Sequence, residues 1–94
     1  MSEHQLAGLF SLKGKTALIT GSTRGIGFAL ARGLGQAGAR VLINGRAADT
    51  VQAVVDELNS QSIVATALIA DVTKQDDITA QINAYEATTG PIDI

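Results

Sequence analysis

The sequence predicts an α/β fold, the opening part of a parallel sheet whose strands are joined by helical crossovers. Short apolar runs of strand type alternate with stretches in which apolar residues recur every three to four positions, the pattern of strand–helix–strand units. The first run is closed by Gly21 and the third is broken off by Asp71. Three glycines also cluster in "TGSTRGIG", residues 20–27, where the first strand must hand over to the first helix. Parallel strands joined in this way take right-handed crossovers.

The elements follow in order. Lys15–Thr20 reads as a strand, short, apolar and stopped by Gly21. From Gly25 to Ala37 the apolar residues Ile26, Leu30, Leu34 and Ala37 recur at helical spacing, with Ala29 and Gly33 beside them. This stripe is the expected buried face, and Gly38 the expected stop. Arg40–Asn44 is a second buried strand. Val51, Val54, Val55 and Leu58 mark a second helix, with Asp49 and Gln52 placed as a capping pair. Ile63–Ala70 is a third strand. Thr73 is the expected N-cap of a third helix with Ile78, Ile82 and Tyr85 on one stripe, ended by Gly90-Pro91. Ile92-Asp93-Ile94 reads as a fourth strand just beginning. A sheet stopped there leaves an apolar edge uncovered, so residues 1–94 are expected to be the N-terminal part of one longer domain.

Composition narrows the function. The 94 residues suffice for one small domain, and 46% of them are hydrophobic, as in a soluble globular protein. There is no cysteine, which excludes disulfides, thiolate catalysis and cysteine-ligated metal. A lone His4 near the terminus is a poor metal or catalytic candidate. Met1–Gly8 lacks the apolar segment of a secretory signal, and no apolar run approaches the ~20 residues needed to span a bilayer. A cytoplasmic location with no membrane partner is expected. Six of the seven Lys and Arg fall in residues 1–46 and eight of the nine acids in residues 47–94. The positive residues form no basic run and lack interleaved aromatics, so nucleic acid is not an expected partner.

The glycine cluster carries the chemistry. Gly21, Gly25 and Gly27 follow a strand and open a helix, the context that gives a glycine motif its meaning. Gly21 lets the chain leave the strand through dihedrals closed to other residues. Gly25 and Gly27 keep side chains away where the helix start meets a pyrophosphate and the strand. Free N–H groups and the positive end of the helix dipole favour a phosphate there. The spacing differs from G-x-G-x-x-G. Gly14-Lys15-Thr16 resembles the end of a nucleoside-triphosphate loop, but Leu9 stands where its first glycine belongs and its lysine precedes the strand.

The end of the second strand selects among dinucleotides. A site for the unphosphorylated ribose places an Asp or Glu there, and this chain has Asn44-Gly45-Arg46. Arg46 suits a bidentate charge-assisted pair with a 2′-phosphate, and Arg24 on the glycine turn can approach it from the other side. The missing acid also argues against S-adenosylmethionine. Asp71 and Val72 follow the third strand at the same sheet edge. Asp71 is placed either to accept from an adenine amino group, with Val72 on the ring, or to form an ordinary turn before the next helix.

With these residues in view, the chain resembles the short-chain dehydrogenases/reductases. The resemblance rests on Thr20-Gly21-x-x-x-Gly25-x-Gly27, Asn44-Gly45-Arg46, Asp71-Val72 and Gly90-Pro91-Ile92-Asp93-Ile94. The stretches "LFSLKGKTALITG" and "GLGQAGARVLINGR" are most similar to the gluconate 5-dehydrogenases among them. The resemblance implies a doubly wound Rossmann-type, three-layer sheet and hydride transfer between NADP(H) and a small-molecule alcohol or ketone, here a sugar acid. It implies a homotetramer built by helices beyond these residues. It also implies that Ser22, Arg24 and Ile26 meet the cofactor phosphates, Arg46 the 2′-phosphate, and Asp71 and Val72 the adenine.

The family's Asn-Asn-Ala-Gly segment would begin just after Ile94, and its catalytic Ser, Tyr-x-x-x-Lys and Asn later still. Tyr85 has Thr89 four residues on, not lysine, and lies on an apolar stripe, so it is expected in the core. No catalytic residue is expected within residues 1–94. The alternatives are a ketoacyl-type reductase of the same family, or a non-catalytic nucleotide-binding or interaction module if the chain ends at Ile94.

Overall fold

The computed structural model describes residues 11–94, so His4 and the rest of the first ten residues lie outside it. Three strands, β1 (Thr16–Ile19), β2 (Arg40–Gly45) and β3 (Ala65–Ile69), alternate with three helices, α1 (Gly25–Gln36), α2 (Ala48–Ser60) and α3 (Gln75–Thr88). The sheet is parallel, in the order β1-β2-β3. Ile19 stands opposite Ile43, and Asn44 opposite Leu68. All six elements were expected from the sequence, with boundaries shifted by one or two residues at most strand ends.

The sheet is covered on both faces because successive side chains of a strand point to opposite sides. Ala17, Ile19, Val41, Ile43 and Ala65 pack with Ala31 of α1 and with Val51, Val54, Val55 and Leu58 of α2. Leu42 and Leu68 point the other way, toward Ile78, Ile82 and Tyr85 of α3. Val41, Leu42 and Ile43 in the central strand are fully buried, each stabilising the fold by about 1.5–3 kcal/mol relative to exposure.

The expected fourth strand is not a regular strand. Nevertheless, Ile92–Ile94 lies along the edge of β1 that β2 leaves open. Leu18 N donates to Ile94 O at 3.0 Å, and Asp93 N and Ile94 N both donate to Thr16 O. The chain therefore crosses to the other side of β1, where strand order reverses. Such reversal points are where open α/β sheets bind ligands.

Two expectations about helices fail. Of the α1 stripe, Leu34 packs on the core, but Ile26 and Leu30 face outward, 89% and 53% exposed. The inward face is Gly27, Phe28, Ala31, Leu34 and Gly35. A Cβ on Gly35 would overlap the Ile63 side chain, and one on Gly27 would stand 3.1 Å from Ser22 Cα. At Gly27 and Gly35 the helix comes too close to the turn and to Ile63 for a side chain, while Phe28 and Leu34 pack on the same core. The expected caps fail as well. Ala47 and Lys74 occupy the N-cap positions of α2 and α3, neither with a side-chain cap. Asp49 lies inside the first turn of α2, and Gln52 Nε2 instead donates to Asp56 Oδ1 at 2.9 Å. Thr73 gives its hydroxyl and its N–H to Asp71. Gly38 does stop α1 with φ +105°, as expected, and the Val51-Val54-Val55-Leu58 face of α2 is buried.

Candidate functional site

The glycine turn is built for two separate reasons. Gly21 and Gly25 have φ of +59° and +64°, backbone that other residues adopt only under strain. Around both positions there is open space where a Cβ would stand, so conformation, not crowding, demands glycine. Gly27 has ordinary helical backbone but packs against Gly21 O and Ser22 Cα. The three glycines thus bend the chain twice and press the helix onto its own turn. Gly45 does similar work on β2: a Cβ there would meet Val51 Cγ2 at 2.8 Å and Thr23 Cγ2 at 3.1 Å.

The turn delivers an open helix N-terminus. Arg24 holds the N-cap position of α1 with extended backbone, makes no side-chain cap, and the first turn carries no acid. Gly25 and Ile26 are exposed. The first-turn N–H groups of a helix have no intrahelical partner, and here no side chain substitutes for one. Their combined donors and dipole favour an anion at this position.

Beneath the turn, Asn44 is 1% exposed and Ser22 fully buried. Asn44 Oδ1 accepts from Gly21 N at 3.1 Å. Its Nδ2 donates to Leu68 O and to Ala70 O, both at 3.1 Å. Its backbone N–H donates to Ser22 Oγ at 2.9 Å, and Ser22 N donates back to Asn44 O at 3.1 Å. Both residues point inward and spend their polar atoms on the protein.

Above this layer, at the carboxyl end of the sheet, lies a cavity of about 610 Å³. Gly21, Arg24, Asn44, Arg46, Asp71 and Val72 line it together, six of the ten residues singled out from the sequence. Gly25 and Ile26 stand beside it at the helix start, while Gly27 and Ser22 lie underneath. Thr23, Ala47, Thr50 and Thr73 also line it and were not anticipated. Thr50 had a legible signal: a helix starting directly after Arg46 must place its first-turn residues on the same sheet edge. The start of α2 beside Arg46 differs from that of α1: Ala47 makes no side-chain cap, but Asp49 lies in the first turn and its Oδ1 accepts from Thr50 N at 3.1 Å.

Asp71 is held by its own turn. Its Oδ1 accepts from Thr73 N at 2.9 Å and from the Thr73 hydroxyl at 2.6 Å. Its N–H donates to Asp77 Oδ2 at 2.8 Å, tying the turn to the first turn of α3. The hydroxyl and amide of Thr73 hold the Asp71 carboxyl below its ordinary value, against an opposing desolvation effect, and Arg46 and Lys74 add to the lowering. Asp71 therefore makes the expected turn, and it lines the cavity.

Tyr85 sits with the α3-side core, and its hydroxyl is buried without a hydrogen-bond partner among the described residues. Among those residues no group of three or more His, Asp or Glu side chains converges as a metal site would require. No helix there is long and apolar enough to cross a membrane.

Comparison with known proteins agrees with this geometry. The profile of the family described as short chain dehydrogenase matches residues 15–94. A 2-dehydro-3-deoxy-D-gluconate 5-dehydrogenase of Formosa agariphila is 44% identical over 87 residues, 92% of this chain and 33% of the relative. A 5-keto-D-gluconate 5-reductase of Escherichia coli is 45% identical over 86 residues, again 92% of this chain and 34% of the relative. The structure of a gluconate 5-dehydrogenase from Burkholderia cenocepacia, in complex with NADP and tartrate, superposes with a TM-score of 0.86 at 39% identity. The superposition covers 94% of this chain and 34% of that one. The chain thus spans about a third of the length of the relatives it matches.

Proposed function

This chain belongs to the short-chain dehydrogenase family, and on that premise we propose that residues 1–94 are the N-terminal, cofactor-binding part of an NADP(H)-dependent oxidoreductase. In this reading they form the first part of a single Rossmann-type domain. The observation that carries the cofactor reading is the cavity itself: an uncapped helix start, two arginines and no carboxylate at the end of β2, all at the carboxyl edge of a parallel sheet. The donor set fits a phosphorylated dinucleotide, since one anion site lies at the start of α1 and a second at Arg46. When bound, the nicotinamide gives or takes the hydride.

The residues of this chain bind and orient. The first-turn N–H groups at Gly25, Ile26 and Gly27 hold the pyrophosphate, with Arg24 beside them. Arg46 pairs with the 2′-phosphate. Asp71 accepts from the adenine amino group while Val72, 47% exposed, covers the ring. The turn that lowers the Asp71 pKa keeps that carboxylate charged and acceptor-only at neutral pH. Proton transfer to the substrate falls to residues beyond Ile94. The substrate is a sugar acid of the gluconate/5-ketogluconate type, a class supported by the names of the relatives and of the superposed structure.

Arg46→Ala in the full protein tests the reading. A charge-assisted contact of this kind contributes ~1.5–3 kcal/mol, so NADPH binding should weaken about tenfold to a hundredfold. NADH binding should change by less than about threefold on the same reasoning. Equal losses for both cofactors would overturn the role given to Arg46.

A further inference from the structure

We propose that Asn44 is a positioning residue that ties the phosphate turn to the adenine loop, so that the two ends of the dinucleotide site are held by one buried amide. This rests on the dinucleotide reading of the cavity. The geometry is a chain of hydrogen bonds crossing the carboxyl end of all three strands. It starts at Gly21 N in the glycine turn, which donates to Asn44 Oδ1 at 3.1 Å. It continues through Asn44 Nδ2 to Ala70 O at 3.1 Å, the carbonyl directly before Asp71. On the far side of that peptide, Asp71 N donates to Asp77 Oδ2 at 2.8 Å. Ser22 locks the near end through its two bonds with the Asn44 backbone.

An amide is the only side chain of this size that serves all these partners at once. Its oxygen must accept from a backbone N–H while its nitrogen donates to two carbonyls, which together use three of its four hydrogen-bonding positions. Aspartate would set oxygen against two carbonyls, and leucine would leave Gly21 N and Ala70 O without the partner the amide gives them. Because Asn44 is 1% exposed, it acts through the backbone of Gly21 and Ala70 and not by touching the cofactor. Its effect must therefore fall on features shared by every dinucleotide, the pyrophosphate and the adenine, and not on the 2′-phosphate.

The test is equilibrium titration of the full protein and of Asn44→Ala with NADPH and NADH, together with amide hydrogen exchange at Gly21. Asn44→Ala should weaken both cofactors by the same factor, about tenfold, leaving the NADPH:NADH ratio within about twofold of the parent. Gly21 N–H should exchange at least about tenfold faster without ligand, while the amides in the middle of α2 keep their protection. Asn44→Ser, which keeps a smaller hydrogen-bonding group, should fall between the two and serves if Asn44→Ala does not fold. A loss confined to NADPH would overturn the proposal, since it would place Asn44 on the 2′-phosphate. Unchanged Kd values, or an unchanged Gly21 exchange rate, would overturn it as well. Should the parent bind neither cofactor, the dinucleotide reading fails by itself. The Gly21 exchange rate then still decides whether Asn44 braces the turn.

Discussion

At Gly27, one missing carbon decides whether the helix can reach its turn. A Cβ there would stand 3.1 Å from Ser22 Cα and closer still to Gly21 O, both backbone atoms that cannot swing away. Gly27→Ala should therefore cost about 1–3 kcal/mol and carry the glycine turn out of register. Gly33, two turns further along the same helix, meets nothing within 4 Å. Gly33→Ala should stabilise the chain by about 0.5–1 kcal/mol, the ordinary helix-interior gain over glycine. Denaturant unfolding of the two variants separates crowding from propensity; opposite signs are expected, and equal effects would contradict the close approach. Asp71 gives a pH-dependent prediction at the same scale. Its folded pKa is depressed by the Thr73 hydroxyl and amide, so its stabilising contribution is present above the unfolded value near 3.9. That contribution is lost as pH falls through the lower folded value. Thr73→Val removes the hydroxyl, the largest cause, and should move the Asp71 carboxyl titration upward toward the ordinary range when followed by carbon-detected NMR. No upward movement would mean that the hydroxyl is not what holds it down.

The helices show what the sequence reveals and what it conceals. In α2 the apolar spacing at Val51, Val54, Val55 and Leu58 points to the true buried face, because that helix packs at a distance large side chains can fill. In α1 the same logic selects Ile26, Leu30, Leu34 and Ala37; Leu34 does pack on the core, but Ile26 and Leu30 face outward because the close approach puts Gly27, Ala31 and Gly35 inside. Cap residues are misjudged for a related reason. Thr73 is held by Asp71, which accepts from its hydroxyl and amide, and Asp77, six residues on, accepts from Asp71 N. Asn44 was legible as a residue at the site but not in its role, since its side-chain partners lie 23 to 26 positions away in sequence. Tyr85 was legible as core. Its buried hydroxyl has no partner among the described residues, and an unsatisfied buried group costs about 1–3 kcal/mol. Tyr85→Phe should therefore raise stability, by about 1 kcal/mol, in thermal or denaturant unfolding. A loss of that size would show that the hydroxyl has a partner after all.

Over the whole molecule, the three strands end at one edge, and the candidate site opens there. The open start of α1, Arg24 and Arg46 converge on a single cavity of about 610 Å³. Strand order reverses at β1, where Ile92–Ile94 lies along the edge that β2 leaves free. Fold class was legible from alternation alone, and so was the location of the site, since a parallel sheet offers ligands its carboxyl edge. The three-dimensional arrangement adds the division of labour: glycines bend, buried Asn44 and Ser22 brace, and the arginines with Asp71 face the ligand. The central claim is that this edge prefers a dinucleotide bearing a 2′-phosphate, and equilibrium titration of the full protein with NADPH and with NADH tests it most directly. NADPH should bind at least about tenfold more tightly, the value of one well-placed charge-assisted contact. Equal affinities, or tighter binding of NADH, would contradict it.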